Sequence, residues 1–95
     1  MKLLTQEIEK KLPALGSTDG TDADVIVKFF TPDSSWTWFA TEYDPERREF
    51  FGMVHGMEKE LGYFSLDELE GVRGPLGLPI ERDLHWEPKP LSEVK

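Results

Sequence analysis

The chain has 95 residues and a mass of 10.9 kDa, which suits one domain and leaves no room for a second independent core. Eleven Lys plus Arg stand against nineteen Asp plus Glu, so the formal net charge is -8, and this argues against binding DNA, RNA or anionic lipid through overall surface charge. Cysteine is absent, which excludes disulfides, thiolate nucleophiles and thiolate metal sites.

The opening MKLLTQEIEKKLP turns polar too soon for a secretory signal, and no stretch has the apolar length of a membrane span, so the expected address is the cytoplasm. Leu4, Ile8 and Leu12 recur every four residues behind Thr5, predicting a short helix capped by Thr5 and ended by Pro13. Residues 16–24 carry Gly, Ser, Thr and Asp without apolar anchors and read as a mobile loop.

From Val25 the pattern changes to β-branched and aromatic runs separated by turn residues, predicting a four-stranded antiparallel meander. The strands are expected at Val25 to Phe30, Trp36 to Tyr43, Glu49 to Val54 and Leu61 to Phe64, with turns at Pro32 and Pro45. Strict alternation along the second strand puts Trp36, Trp38, Ala40 and Glu42 on one face. Gly52 and Gly56 inside or beside a strand point to a bulge or to a ring lying over the backbone. Ser65 with Glu68 three positions on forms a capping box, and Phe64 with Leu69 a hydrophobic staple, so a second short helix begins after Ser65. Pro75, Pro79, Pro88 and Pro90 forbid a long helix thereafter and predict an extended arm anchored by Leu76, Leu78, Ile80, Leu84 and Trp86, with a frayed tail over 88–95. The resulting fold class is α+β, a single domain over 1–95.

Six Phe, three Trp and two Tyr make the expected core aromatic. Trp36 and Trp38 form the most distinctive pair. If a helix covers their face they are core, and if the face is open they form a platform for a partner or flat ligand, since Trp is enriched at binding hot spots. Asp33 in the adjoining turn and the carboxylates Glu42, Glu58 and Glu60 complete the candidate partner-binding set. The acidic run from Glu58 to Glu70 reads most simply as a solvated face; the sharper reading is a surface that stands in for nucleic-acid phosphates. Catalysis by paired carboxylates would need a concave pocket holding at least two of Glu42, Glu58 and Glu60. His55 with Glu58, and His85 beside Trp86, fit no metal or catalytic pattern, and no nucleophile elbow or phosphate loop exists, so neither cofactor nor metal is expected.

The strings MKLLTQEI, VKFFTPDSSWTWFATEYD and GYFSLDELEGVRGPLGLPIERDLHWEPKPL, which together span nearly the whole chain, resemble bacterial domain-of-unknown-function family 2958. The resemblance implies a small protein carried by plasmids, phages and conjugative elements. It supplies no catalytic or binding residues. The reading it favours is a non-enzymatic accessory protein that binds another protein through its aromatic and acidic surface, with an acidic nucleic-acid mimic or a small carboxylate enzyme as alternatives. Direct nucleic-acid binding and membrane association are not expected, and the chain is a monomer or a homodimer joined through a sheet edge.

Overall fold

The computed structural model describes residues 1–95. The N-terminal helix α1 (Gln6–Lys11) starts as the capping signal requires, with the Thr5 hydroxyl accepting from the Ile8 N–H. It stops at Leu12, which takes an extended conformation ahead of Pro13. Short strands β1 (Asp24–Val25) and β2 (Val27–Phe30) follow, then β3 (Thr37–Asp44), β4 (Glu49–His55) and β5 (Lys59–Ser65). Helix α2 (Leu66–Gly71) is capped by Ser65, whose hydroxyl accepts from the Glu68 N–H at 3.2 Å. The last stretch adds β6 (Glu81–Arg82), β7 (Lys89–Pro90) and a 3₁₀ turn at Leu91–Glu93.

The fold is α+β with two short helices, and its main sheet has five antiparallel strands in the order β5-β4-β3-β2-β6 rather than four. The extra strand, β6, is a two-residue piece that pairs Arg82 with Phe29 and Glu81 with Phe30. Such a piece has no alternating run of its own to betray it and exists because β2 presents a free edge. The β1 and β7 strands form a separate two-stranded ladder.

Both sheet faces are covered, by different material. On one face Phe50 sits at the centre of a cluster of rings, 4.7 Å from Tyr43, 5.3 Å from Phe64 and 5.4 Å from Phe29 by centroid. Leu3 and Leu4 of the N-terminal segment, Leu66 and Leu69 of α2, and Ile80 close over it. The other face carries a smaller core of Phe39 and Met53 with Val25 and Leu91, against which Trp86 packs. Trp86 is fixed there by its indole N–H, which donates to the Val25 carbonyl at 2.9 Å, and by the ammonium of Lys89, 4.7 Å from its ring.

A β-bulge in β3 decides which side chains reach which face. Ala40 pairs with Gly52 and Glu42 with Phe51, leaving Thr41 as the unpaired extra residue. The alternation therefore changes phase at Thr41. Trp38 and Ala40 share the ring-cluster face with Tyr43, and Glu42 goes to the opposite face, against the sequence expectation that joined Glu42 to the tryptophans. The close approach of strands here explains Gly52, where a Cβ would fall 1.8 Å from the Phe39 carbonyl oxygen.

Residues 16–24 lie along the Glu42 face. The Glu42 carboxylate accepts from the N–H groups of Gly16 and Thr18, at 2.7 and 3.0 Å, and from the Thr18 hydroxyl. Asp22 in the same segment accepts from the N–H and hydroxyl of Ser92, at 3.0 and 2.6 Å, so this loop and the chain end hold each other.

Candidate functional site

The turn between β2 and β3 sets the site. Thr31 closes it with three contacts to Trp36: its N–H donates to the Trp36 carbonyl at 3.0 Å, and its hydroxyl accepts from the Trp36 N–H at 3.1 Å and donates to the same carbonyl at 3.3 Å. Pro32 to Ser35 are looped out between them. This places Trp36 just before β3 and Trp38 two residues inside it, on the same face. The two indoles stack, with centroids 6.0 Å apart and planes 27° from parallel. Trp38 is buried in the main core, whereas Trp36 retains 39% of its surface. One indole thus serves as the foundation of the other. Of the three tryptophans only Trp86 spends its indole N–H on a contact within the chain.

Trp36 forms a ridge between two grooves. The first, of about 380 Å³, is bounded by Trp36, Trp38, Thr31 and the segment Val72 to Pro75. The second, of about 340 Å³, runs along the other side of Trp36 and is bounded by Val54, Gly56, Met57, Glu58 and Glu60. Gly56 is required by this arrangement, because the benzo ring of Trp36 lies against its backbone and a Cβ there would fall 2.3 Å from Trp36 Cζ3. Met57 at the β4–β5 turn is 94% exposed.

The two grooves differ in charge. Arg73 stands at the first; one of its terminal nitrogens donates to the Glu70 and Val72 carbonyls, at 3.2 and 2.9 Å. The second carries Glu58 and Glu60, both exposed. The ion pairs of the chain are Lys28–Asp83, Arg47–Asp44, Arg48–Asp67 and Arg48–Glu70, so neither of these carboxylates is neutralised from within.

Four of the six candidate residues, Trp36, Trp38, Glu58 and Glu60, therefore meet around one ridge. Asp33 stands behind it. Its Oδ2 accepts from the N–H groups of Leu76 and Leu78, at 2.8 and 3.4 Å, and its Oδ1 is buried against Gly74 without a donor. Asp33 thus positions the Gly74–Leu78 turn that walls the first groove. Glu42 does not belong to this surface. It is buried on the far face; burial pushes its carboxyl up, but the Thr18 hydroxyl and the Gly16 and Thr18 N–H groups outweigh this and hold it below the usual carboxylate range.

Sequence reasoning missed Met57, Arg73 and Pro75 as lining residues. Arg73 and Pro75 reach the tryptophans only because α2 is carried back across the sheet, a long-range consequence that no local pattern encodes. Gly56 did carry a signal, a glycine next to an aromatic strand.

The fold and its surface define a small α+β domain whose distinguishing feature is a half-exposed tryptophan ridge between an acidic and a basic groove. The family described as "Protein of unknown function (DUF2958)" matches residues 3–94, and the chain belongs to it. A search of the curated proteins and of the solved structures found no match. No helix is long and apolar enough to cross a membrane.

Proposed function

We propose that this chain is a binding protein that captures a segment of another protein on the Trp36 ridge, without chemistry of its own. The observation that carries this reading is Trp36 itself. A large indole is held half-exposed on a buried second indole, over a glycine, with space on both sides. Aromatic anchors on rigid supports, ringed by polar groups, are what concentrates binding energy at protein surfaces. Charge complementarity selects the ligand: an apolar or aromatic side chain seats against Trp36, and a neighbouring Lys or Arg lies against the unneutralised Glu58 and Glu60. In this reading the chain is an accessory protein of a plasmid, phage or conjugative element, as the family resemblance implied.

Peptides selected from a random phage-displayed library against the immobilised chain test this. The expected consensus has an apolar residue flanked by Lys or Arg. Binding should fall at least tenfold in Trp36→Ala, a loss of about 1.4 kcal/mol, and more modestly in Glu58→Gln with Glu60→Gln. A consensus rich in acids, or binders indifferent to Trp36→Ala, overturns the assignment. Contacts dominated by charge pairs would weaken steeply with salt and favour nucleic-acid mimicry instead.

A further inference from the structure

The rim strand β5 has β4 on one side and no strand on the other. In an antiparallel ladder, alternate residues turn both their N–H and C=O toward the same neighbour. Two bonds fix the phase here: Leu66 N–H to the Arg48 carbonyl at 2.9 Å and Gly56 N–H to the Glu58 carbonyl at 3.0 Å. Both belong to the register that pairs Val54 with Glu60, Gly52 with Gly62 and Phe50 with Phe64. The even-numbered residues therefore bond to β4, and Lys59, Leu61, Tyr63 and Ser65 turn their backbone groups outward.

The outward backbone coincides with outward apolar surface. Leu61 and Tyr63 are 48% and 64% exposed, and the Tyr63 ring meets Phe51 edge-on at 5.1 Å, continuing the patch onto β4. Edge strands are ordinarily blunted by a proline, a bulge or a covering segment. None of these interrupts β5, whose pairing with β4 is regular from Lys59 to Ser65. Only Lys59 and Glu60, at its start, carry charge.

We infer that the occupant of this edge is a second copy of the chain, which adds its own β5 antiparallel about a two-fold axis through Gly62. The strand is self-complementary in that register. Leu61 lies opposite Tyr63 of the second copy and Lys59 opposite Ser65, each pair occurring twice, as an isologous two-fold contact demands. All four outward-turned residues then find hydrogen-bonding partners, and no like charges are opposed. At the axis the two glycines meet with no side chain between them, and the space where a Gly62 Cβ would stand is empty. Shifting the axis to Leu61 leaves Ser65 unpaired. The result is one continuous sheet made of two five-stranded halves.

Sedimentation of the full chain over a concentration series tests this. The mass should rise from 10.9 kDa toward twice that value, and more readily in added salt, because each copy carries a net charge of -8. Exchange of the Leu61 and Tyr63 amide protons should slow by about tenfold or more across the same series, while the Gly62 amide, bonded to β4, changes little. Leu61→Lys with Tyr63→Lys should restore the monomer; if that variant does not fold, Tyr63→Ser and the exchange pattern of the unaltered chain decide. A chain that stays monomeric to about 1 mM with freely exchanging Leu61 and Tyr63 amides overturns the inference, because an edge contact weaker than that contributes less than about 4 kcal/mol. So does a dimer that forms without protecting those two amides.

Discussion

The benzo ring of Trp36 rests directly on the backbone of Gly56, leaving no room for even a methyl group between them. The glycine just after β4 and the indole just before β3 thus form one device. Because Trp38 supports the ring from another side, the orientation of Trp36 is set before any ligand arrives. Gly56→Ala should swing the indole off its seat and remove the stacked-indole couplet from the circular dichroism spectrum. The cost in stability should be small, about 1 kcal/mol, since the ring can move toward solvent. An unchanged couplet would show that Trp36 is not held by this contact.

Asp33 shapes the neighbouring wall. Its carboxylate accepts from the Leu76 and Leu78 N–H groups across more than forty residues of sequence, and Gly74 abuts its other oxygen. Asp33→Ala should destabilise the fold by about 1–2 kcal/mol in denaturant titration, the cost of removing an acceptor from two partly screened N–H groups. Amide exchange at Leu76 and Leu78 should quicken while that in β3 and β4 does not.

Glu42 links the bulge to the loop over 16–24, and its ionisation sets a pH window. Its folded pKa lies below the ordinary Glu value of about 4.3, so the stability it contributes is complete above that value and is lost as pH falls through the folded pKa. Acidification below about pH 4 should release Gly16 and Thr18 before the rest of the sheet unfolds, visible as faster amide exchange at those residues. Glu42→Gln should remove that acid-dependent step and cost about 1–3 kcal/mol at neutral pH, because the amide leaves a donor facing donors.

His55 acts higher on the pH scale. Burial pushes its imidazole down, Lys59 adds to this, and the Val94 backbone opposes it; Nε2 is buried without a partner, and the ring sits 4.8 Å from Phe39. The folded pKa is depressed, so stability is complete above the unfolded value of about 6.5 and declines as pH falls from there to the folded pKa. The region around Phe39 and the 3₁₀ turn should loosen over that interval, followed by the NMR resonance of the Trp86 indole N–H, which is bonded to the Val25 carbonyl. His55→Gln should abolish the transition.

The elements that could be located from sequence are those whose causes are local. Thr5 and Ser65 cap helices through bonds to residues three positions on, Pro13 stops a helix through its steric effect on Leu12, and Pro32 begins a turn. These interactions span a few residues and leave their mark on the string of letters. The same holds for the pairing of Trp36 and Trp38 on one face, because they lie on the near side of the bulge.

The placement of Glu42 was not legible. Ala40, Thr41 and Glu42 include no glycine or proline to mark a bulge, yet one unpaired residue reverses the alternation and carries Glu42 from the tryptophan face to the loop face. Composition also marked residues 16–24 as mobile, while their attachments come from Glu42 and Ser92, far along the chain. The acidic balance, the aromatic core, the family and most element boundaries follow from the sequence by itself, since each depends on residue type or near neighbours. The fifth strand, the bulge phase and the ridge between two grooves depend on which distant segments compete for the same backbone groups, and only tertiary packing decides that.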